Sequence, residues 1–259
     1  MNPGLRAKSS VGKNFTFFRL PPQLSHPLWL NGGVMNNPTT EIVFILDRSG
    51  SMQAMVEPAI SGFNRLLREQ QQVPGHARFT LVLFDDQYEL PFHSVPISEV
   101  VELDTSTFIP RGGTALLDAI GRTIDELGEK LAKTPEADRP NQVIIAILTD
   151  GEENSSTRYT WEKVAKRIRH QTDKYQWQFL FLGANQDAIA TAGRMNIHAN
   201  DTANFAMTGS SYNASKGALS RKMSAVRRRS QGDTDANVVQ DAEASLESMR
   251  EEEERKENE

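Results

Sequence analysis

Asp47, Ser49 and Ser51 alternate along Asp47-Arg48-Ser49-Gly50-Ser51, directly after the apolar run Ile42-Val43-Phe44-Ile45-Leu46. One carboxylate and two hydroxyls on a loop leaving a buried strand make half of a site for a hard cation. Thr114, after Arg111-Gly112-Gly113, and Asp150, after the run Val143 to Thr149, supply the other half. Oxygen donors of this kind suit Mg2+, which prefers octahedral coordination and keeps several of its waters; Mn2+ and Ca2+ also accept them. Ser49, Ser51 and Thr114 offer neutral oxygens. Asp47 and Asp150 either touch the ion or hold its waters. An open coordination position on such an ion attracts a carboxylate from outside, which is recognition chemistry and not a reaction.

The elements that must position these residues follow from hydrophobic periodicity. Glu41–Leu46, Ala77–Phe84, Gln142–Leu148 and Trp177–Leu182 read as strands, and Gln142–Leu148 is apolar enough to be covered on both faces. Helical spacing marks 54–71, 114–131, 159–169, 186–195 and 212–228. Residues 87–95 read as a hairpin partner or separate edge strand, and 204–207 as a last edge strand. Repeated strand–helix alternation predicts an α/β fold: a three-layer sandwich, its central sheet mostly parallel with helices on both faces. In such sheets ligand groups collect beyond the carboxyl ends of the strands, where Asp47 and Asp150 both fall. Thr114 reads equally as the N-cap of its helix, and Asp47 alone as a turn residue. The glycine pair and the second carboxylate loop shift the balance towards a site.

The five residues together resemble the metal-ion-dependent adhesion site of the von Willebrand factor type A family. Asp-x-Ser-x-Ser lies on the first loop, Thr on the second and Asp on the third, and Gly113-Thr114-Ala115-Leu116 and Thr149-Asp150-Gly151 resemble the family around them. The resemblance covers 41–229. It implies a Rossmann-like sandwich and a divalent-metal-dependent module that binds an Asp or Glu of a protein partner. It also admits an accessory subunit of an ATPase or metal-insertion machine, and a nucleic-acid-associated repair or phage-related factor. Among members it looks most like intracellular bacterial or phage types. Arg48 departs from the small residue often found there. It is expected to form a partner-binding rim with Asp85, Glu152 and Glu153.

Composition narrows the classes. The 259 residues contain no cysteine, which removes disulfides and thiolate ligands and fits a reducing compartment. No apolar run reaches membrane-spanning length, and no signal-peptide segment follows the first basic residues. A cytoplasmic protein is the expectation. The net charge of −5 is unevenly spread: residues 1–40 carry +4, residues 230–259 carry −8, and 41–229 is left at −1. That near-neutral centre gives no reason to invoke nucleic acid. Six bases do sit on the last long helix, Lys216, Arg221, Lys222, Arg227, Arg228 and Arg229. They read as a solvated face, as a phosphate-binding surface, or as the seat of the acidic tail folded back.

Neither a zinc-protease motif nor a phosphate loop occurs, and no base is specified for Ser49 or Ser51, so no enzymatic activity is expected. Residues 1–40 read as a flexible or misannotated arm. Met35 is an alternative start, and 1–34 are expected to be dispensable unless Phe15, Phe17, Phe18 or Trp29 anchors the core. Residues 230–259 read as an acidic tail, partly helical through Val239, Ala242, Leu246 and Met249 but thin enough in apolar content to stay mobile. The sequence leaves the oligomeric state open.

Overall fold

Alternate residues of β1 (Thr39–Asp47) serve two different cores. Ile42, Phe44 and Leu46 point to one face of the sheet, and Val43 and Ile45 to the other. All five are at most 1% exposed, so this period-2 strand is buried on both sides. The computed structural model describes residues 38–184 and 188–257; the arm of residues 1–37, with Phe15, Phe17, Phe18 and Trp29, lies outside them.

Five further strands complete the sheet: β2 (His76–Phe84), β3 (Tyr88–Pro96), β4 (Gln142–Thr149), β5 (Gln178–Ala184) and β6 (Thr202–Phe205). Their order is β3-β2-β1-β4-β5-β6. All pairings are parallel except β2 with β3, so the segment read as hairpin or edge is both. From β1 the chain steps to one side through β2 and β3. It then crosses back to lay β4 on the other side of β1. That reversal opens a crevice at the carboxyl ends of β1 and β4, where Asp47 closes one strand and Thr149 the other.

Helices α2 (Leu116–Lys133), α3 (Trp161–Tyr175) and α4 (Ala188–Arg194) cover the face lined by Val43, Ile45, Ile145 and Ile147. Helices α1 (Val56–Gln72) and α5 (Gly209–Ser230) cover the other, with Phe63, Tyr212, Leu219 and Met223 packed on Phe44 and its neighbours. Helix starts differ from the periodic reading. A 3-10 segment, Gly50–Met55, fills the interval before α1. The N-cap of α2 is Ala115, so the Thr114 hydroxyl does not cap that helix.

The tail departs most from expectation. It folds into α6 (Ala236–Glu243) and α7 (Leu246–Glu257), capped at its start by Asp235, whose carboxylate accepts from the amides of Asn237 and Val238. Val238, Leu246 and Met249 are buried, the last two inside the core shared with Phe44 and Phe63. Its acids meet the bases of α5. Arg221 pairs with Asp241 and Glu252, and Arg229 with Glu243. Arg228 pairs with Asp233, and Lys222 donates to the carbonyls of Ala244 and Asn200. Arg227 turns inward onto the Gln70 carbonyl at the end of α1. Five of the six α5 bases are therefore engaged within the molecule, although Arg228 and Arg229 remain 43% and 48% exposed. Leu246→Ala should cost about 3 kcal/mol of unfolding free energy, as deletion of a closed-in leucine does. Urea denaturation of the variant checks this, and a mobile tail would show no change.

Candidate metal centre

Three loops converge at the crevice, and backbone hydrogen bonds lock them together. Gly50 N donates to Gly112 O at 3.2 Å, Arg111 N to Arg48 O at 2.8 Å, and Asn154 N to Thr114 O at 3.0 Å. Gly112 has φ +64°, a left-handed conformation that favours glycine, and a side chain there would meet Asp86.

Asp47 is fully buried. Its Oδ1 accepts from Ser49 N at 2.7 Å and its Oδ2 from Thr149 Oγ1 at 2.6 Å. Ser49 Oγ and Ser51 Oγ share a hydrogen bond of 3.0 Å, and Ser51 Oγ donates to Asp150 Oδ1 at 2.8 Å. The other carboxylate oxygen of Asp150 is buried without a hydrogen-bond partner among the described residues. Thr114 is buried, with its N donating to Asn154 Oδ1 at 2.9 Å. Gly151 locates the centre of the cluster. A Cβ placed there would lie 2.9 Å from Thr114 Oγ1, 3.4 Å from Ser51 Oγ and 3.7 Å from Ser49 Oγ. Three hydroxyls from two loops thus surround one small space on the third.

Electrostatics agree with that geometry. Burial pushes the Asp47 carboxyl up to about 6; the hydrogen bonds from Thr149 and Ser49 work against the rise, and the charge of Asp150 adds to it. Burial likewise raises Asp150, against the hydrogen bond from Ser51. Two carboxyls strained towards neutrality, an unsatisfied buried oxygen and three convergent hydroxyls are what a divalent cation would relieve. The donors are all hard oxygens and fit Mg2+, Mn2+ or Ca2+. Among the described residues no group of three or more His, Cys, Asp or Glu could hold a metal, so any ion here depends on the hydroxyls.

The expected rim does not form as a rim. Arg48 and Asp85 are 4% and 0% exposed, and Arg48 Nε donates to Asp85 Oδ2 at 3.0 Å. Glu153 is half-buried and accepts from the amides of Leu117, Ser155 and Ser156, which fixes the loop against the first turn of α2. Glu152 alone is exposed. Sequence reasoning missed Thr149 and Asn154 as supports of Asp47 and Thr114, although Thr149 precedes Asp150 directly. It also missed Glu89 and Arg111, for which no local signal exists.

Residues 40–192 match the von Willebrand factor type A domain family. The chain belongs to that family. No curated protein matches it closely enough to count as a relative. Solved structures resemble its fold. The von Willebrand domain of the type V pili tip protein Mfa5 from Porphyromonas gingivalis aligns with TM-score 0.50 and 11% identity over 72% of this chain and 95% of that one. A von Willebrand factor type A protein from Catenulispora acidiphila gives 0.47 and 16% over 75% and 43%. A manganese-loaded TRAP protein of Plasmodium vivax gives 0.47 and 13% over 64% and 68%. The chain spans under half the length of the first structures it matches. At 11% identity the likeness to the Mfa5 domain speaks for the fold alone. As a type A domain, the chain carries its candidate centre at the carboxyl edge of the sheet. Among its described residues no helix is long and apolar enough to cross a membrane.

Proposed function

We propose that this type A domain is a divalent-cation-dependent protein-binding module of an intracellular, bacterial or phage-type protein. Asp47, Ser49, Ser51, Thr114 and Asp150 would hold Mg2+, with Mn2+ and Ca2+ as substitutes. The bound cation supplies an electrophilic position that a partner's Asp or Glu completes. Asp47 and Asp150 balance the ion's charge, and Thr149 and Ser49 keep the Asp47 carboxylate oriented through hydrogen bonds. The observation that carries this reading is the buried oxygen of Asp150, unpartnered among the described residues, beside three converging hydroxyls.

Binding without turnover is the proposal, since Ser49 and Ser51 bond one another and Asp150. An accessory role beside a separate ATPase would use the same face. A nucleic-acid role finds less support, because Arg221, Lys222, Arg227 and Arg229 are engaged by α6, α7 and backbone carbonyls and Lys216 is buried.

Calorimetric titration with Mn2+ and Mg2+ tests the centre. Asp47→Ala and Asp150→Ala should each weaken binding by at least about 10-fold while the chain stays folded. Pull-down with metal and with chelator then tests the partner, whose capture should fall on chelation and in Ser49→Ala and Thr114→Ala. Equal affinity in all variants would reject the reading.

A further inference from the structure

Asp85, at the end of β2, offers no atom to the cluster of hydroxyls, yet it is fully buried and holds two of the three loops. Its Oδ2 accepts from Arg48 Nε at 3.0 Å and from Arg111 Nε at 2.9 Å. Its Oδ1 accepts from Gln87 N at 2.6 Å, which fixes the carboxylate plane. Its backbone carbonyl accepts from Ala115 N at 2.8 Å, one residue beyond Thr114. Glu89 repeats the bridge from β3, accepting from Arg48 at 2.9 Å and from Arg111 at 2.6 Å. Arg48 sits between Asp47 and Ser49, and Arg111 precedes Gly112-Gly113-Thr114. The short hydrogen-bonded routes from Asp85 to the two hydroxyl-bearing loops therefore run through these two arginines and through Ala115.

We propose that Asp85 is a positioning residue for the metal centre, setting the distance between the Ser49–Ser51 loop and the Thr114 loop through Arg48 and Arg111. The inference rests on the metal-binding reading above. A hydrogen bond to guanidinium is strong and directional when the acceptor is ionised and shielded from water, which suits Asp85. Two arginines converging on one carboxylate oxygen make the spacing of the loops depend on one group. The outer members, Arg111 and Glu89, are both 44% exposed, so they add less to stability than to alignment.

The experiment compares metal affinity with thermal stability in the full chain. Asp85→Asn keeps the shape and loses the charge, and it strands part of Arg48, so it is expected to lower both. Arg111→Gln separates the two effects. It should weaken Mn2+ binding by at least about 10-fold while the melting temperature moves by no more than about 3 °C. Arg111→Lys should fall between, because one ammonium cannot span Asp85 and Glu89 as the guanidinium does. Lys133→Gln, which breaks an exposed pair with Glu129 on α2, is the control and should change neither. Wild-type Mn2+ affinity in both Arg111→Gln and Asp85→Asn would overturn the positioning role and leave the metal centre standing. Absence of Mn2+ binding by the wild-type chain would remove the centre and the positioning role together.

Discussion

Gly151→Ala abolishes divalent-cation binding and leaves the domain folded: that is the result expected from the placement of this glycine. The added methyl would occupy the space bounded by Thr114 Oγ1 at 2.9 Å, Ser51 Oγ at 3.4 Å and Ser49 Oγ at 3.7 Å. An ion held by those oxygens and the methyl cannot share it. No charge is removed and no donor is deleted, so the variant tests location independently of ligand chemistry. The contact to Thr114 Oγ1 is the only one shorter than ordinary van der Waals separation. Overpacking of that order costs about 1 kcal/mol, or a melting shift of roughly 2–4 °C in a domain of this size. Calorimetry with Mn2+ beside a thermal melt reads both. Undiminished affinity would mean that the hydroxyls converge for a reason other than holding an ion.

Lys216→Met should stabilise the protein, by up to about 5 kcal/mol at pH 6, with the gain fading as pH rises towards 10. Lys216 is 2% exposed, its Nζ has no hydrogen-bond partner among the described residues, and burial pushes its pKa down to about 7. The unfolded chain keeps the ordinary value near 10.5. Between those values the unfolded state binds the extra proton, so wild-type stability rises with pH across that window and the full cost is present below about 7. The rings of Phe44 and Tyr212, 4.8 and 4.9 Å from Nζ, offset part of it, which makes the figure an upper limit. Methionine keeps the length of the stem against Gly62 and lacks the charge. Comparing wild type and variant at each pH cancels titrations elsewhere. A difference flat from pH 6 to 10 would show that the lysine keeps its ordinary pKa in the folded chain, charged and solvated throughout.

Much of the architecture was legible because it is local. Ile42 to Leu46 and Val143 to Leu148 announce doubly covered strands by apolar content alone, and the strand ends bring Asp47 and Asp150 to one edge. The five candidate ligands lie on three segments that the topology must bring together. What stayed hidden depends on partners far along the chain. Arg48 reads as a surface charge until Asp85 and Glu89, 37 and 41 residues later, are folded against it. The tail reads as mobile because four widely spaced apolar residues cannot stabilise two helices alone. They suffice when α5 presents Arg221 to Asp241 and the core accepts Leu246 and Met249. Helix starts shifted by two residues at α1 and α2 because the loops leading into them are shaped by the site and not by helix propensity.

The covering of the Phe44 face by α5 and α7 sets an order of events during synthesis. The sheet is complete once Phe205 has emerged, and α2, α3 and α4 can already shield the side that bears Val43 and Ile45. On the opposite side α1 and the segment bearing Ile97, Val100, Leu103 and Phe108 are then available, while Ile42, Leu46, Ile144, Leu148 and Leu182 still await residues 212 to 249. A nascent chain stalled between those points carries an apolar sheet surface into the crowded space outside the ribosome, where such surfaces recruit chaperones or one another. The segment matched to the family, ending at residue 192, stops inside that exposed interval. The packed core therefore extends past the family segment, and residues of α5 and α7 close its second face.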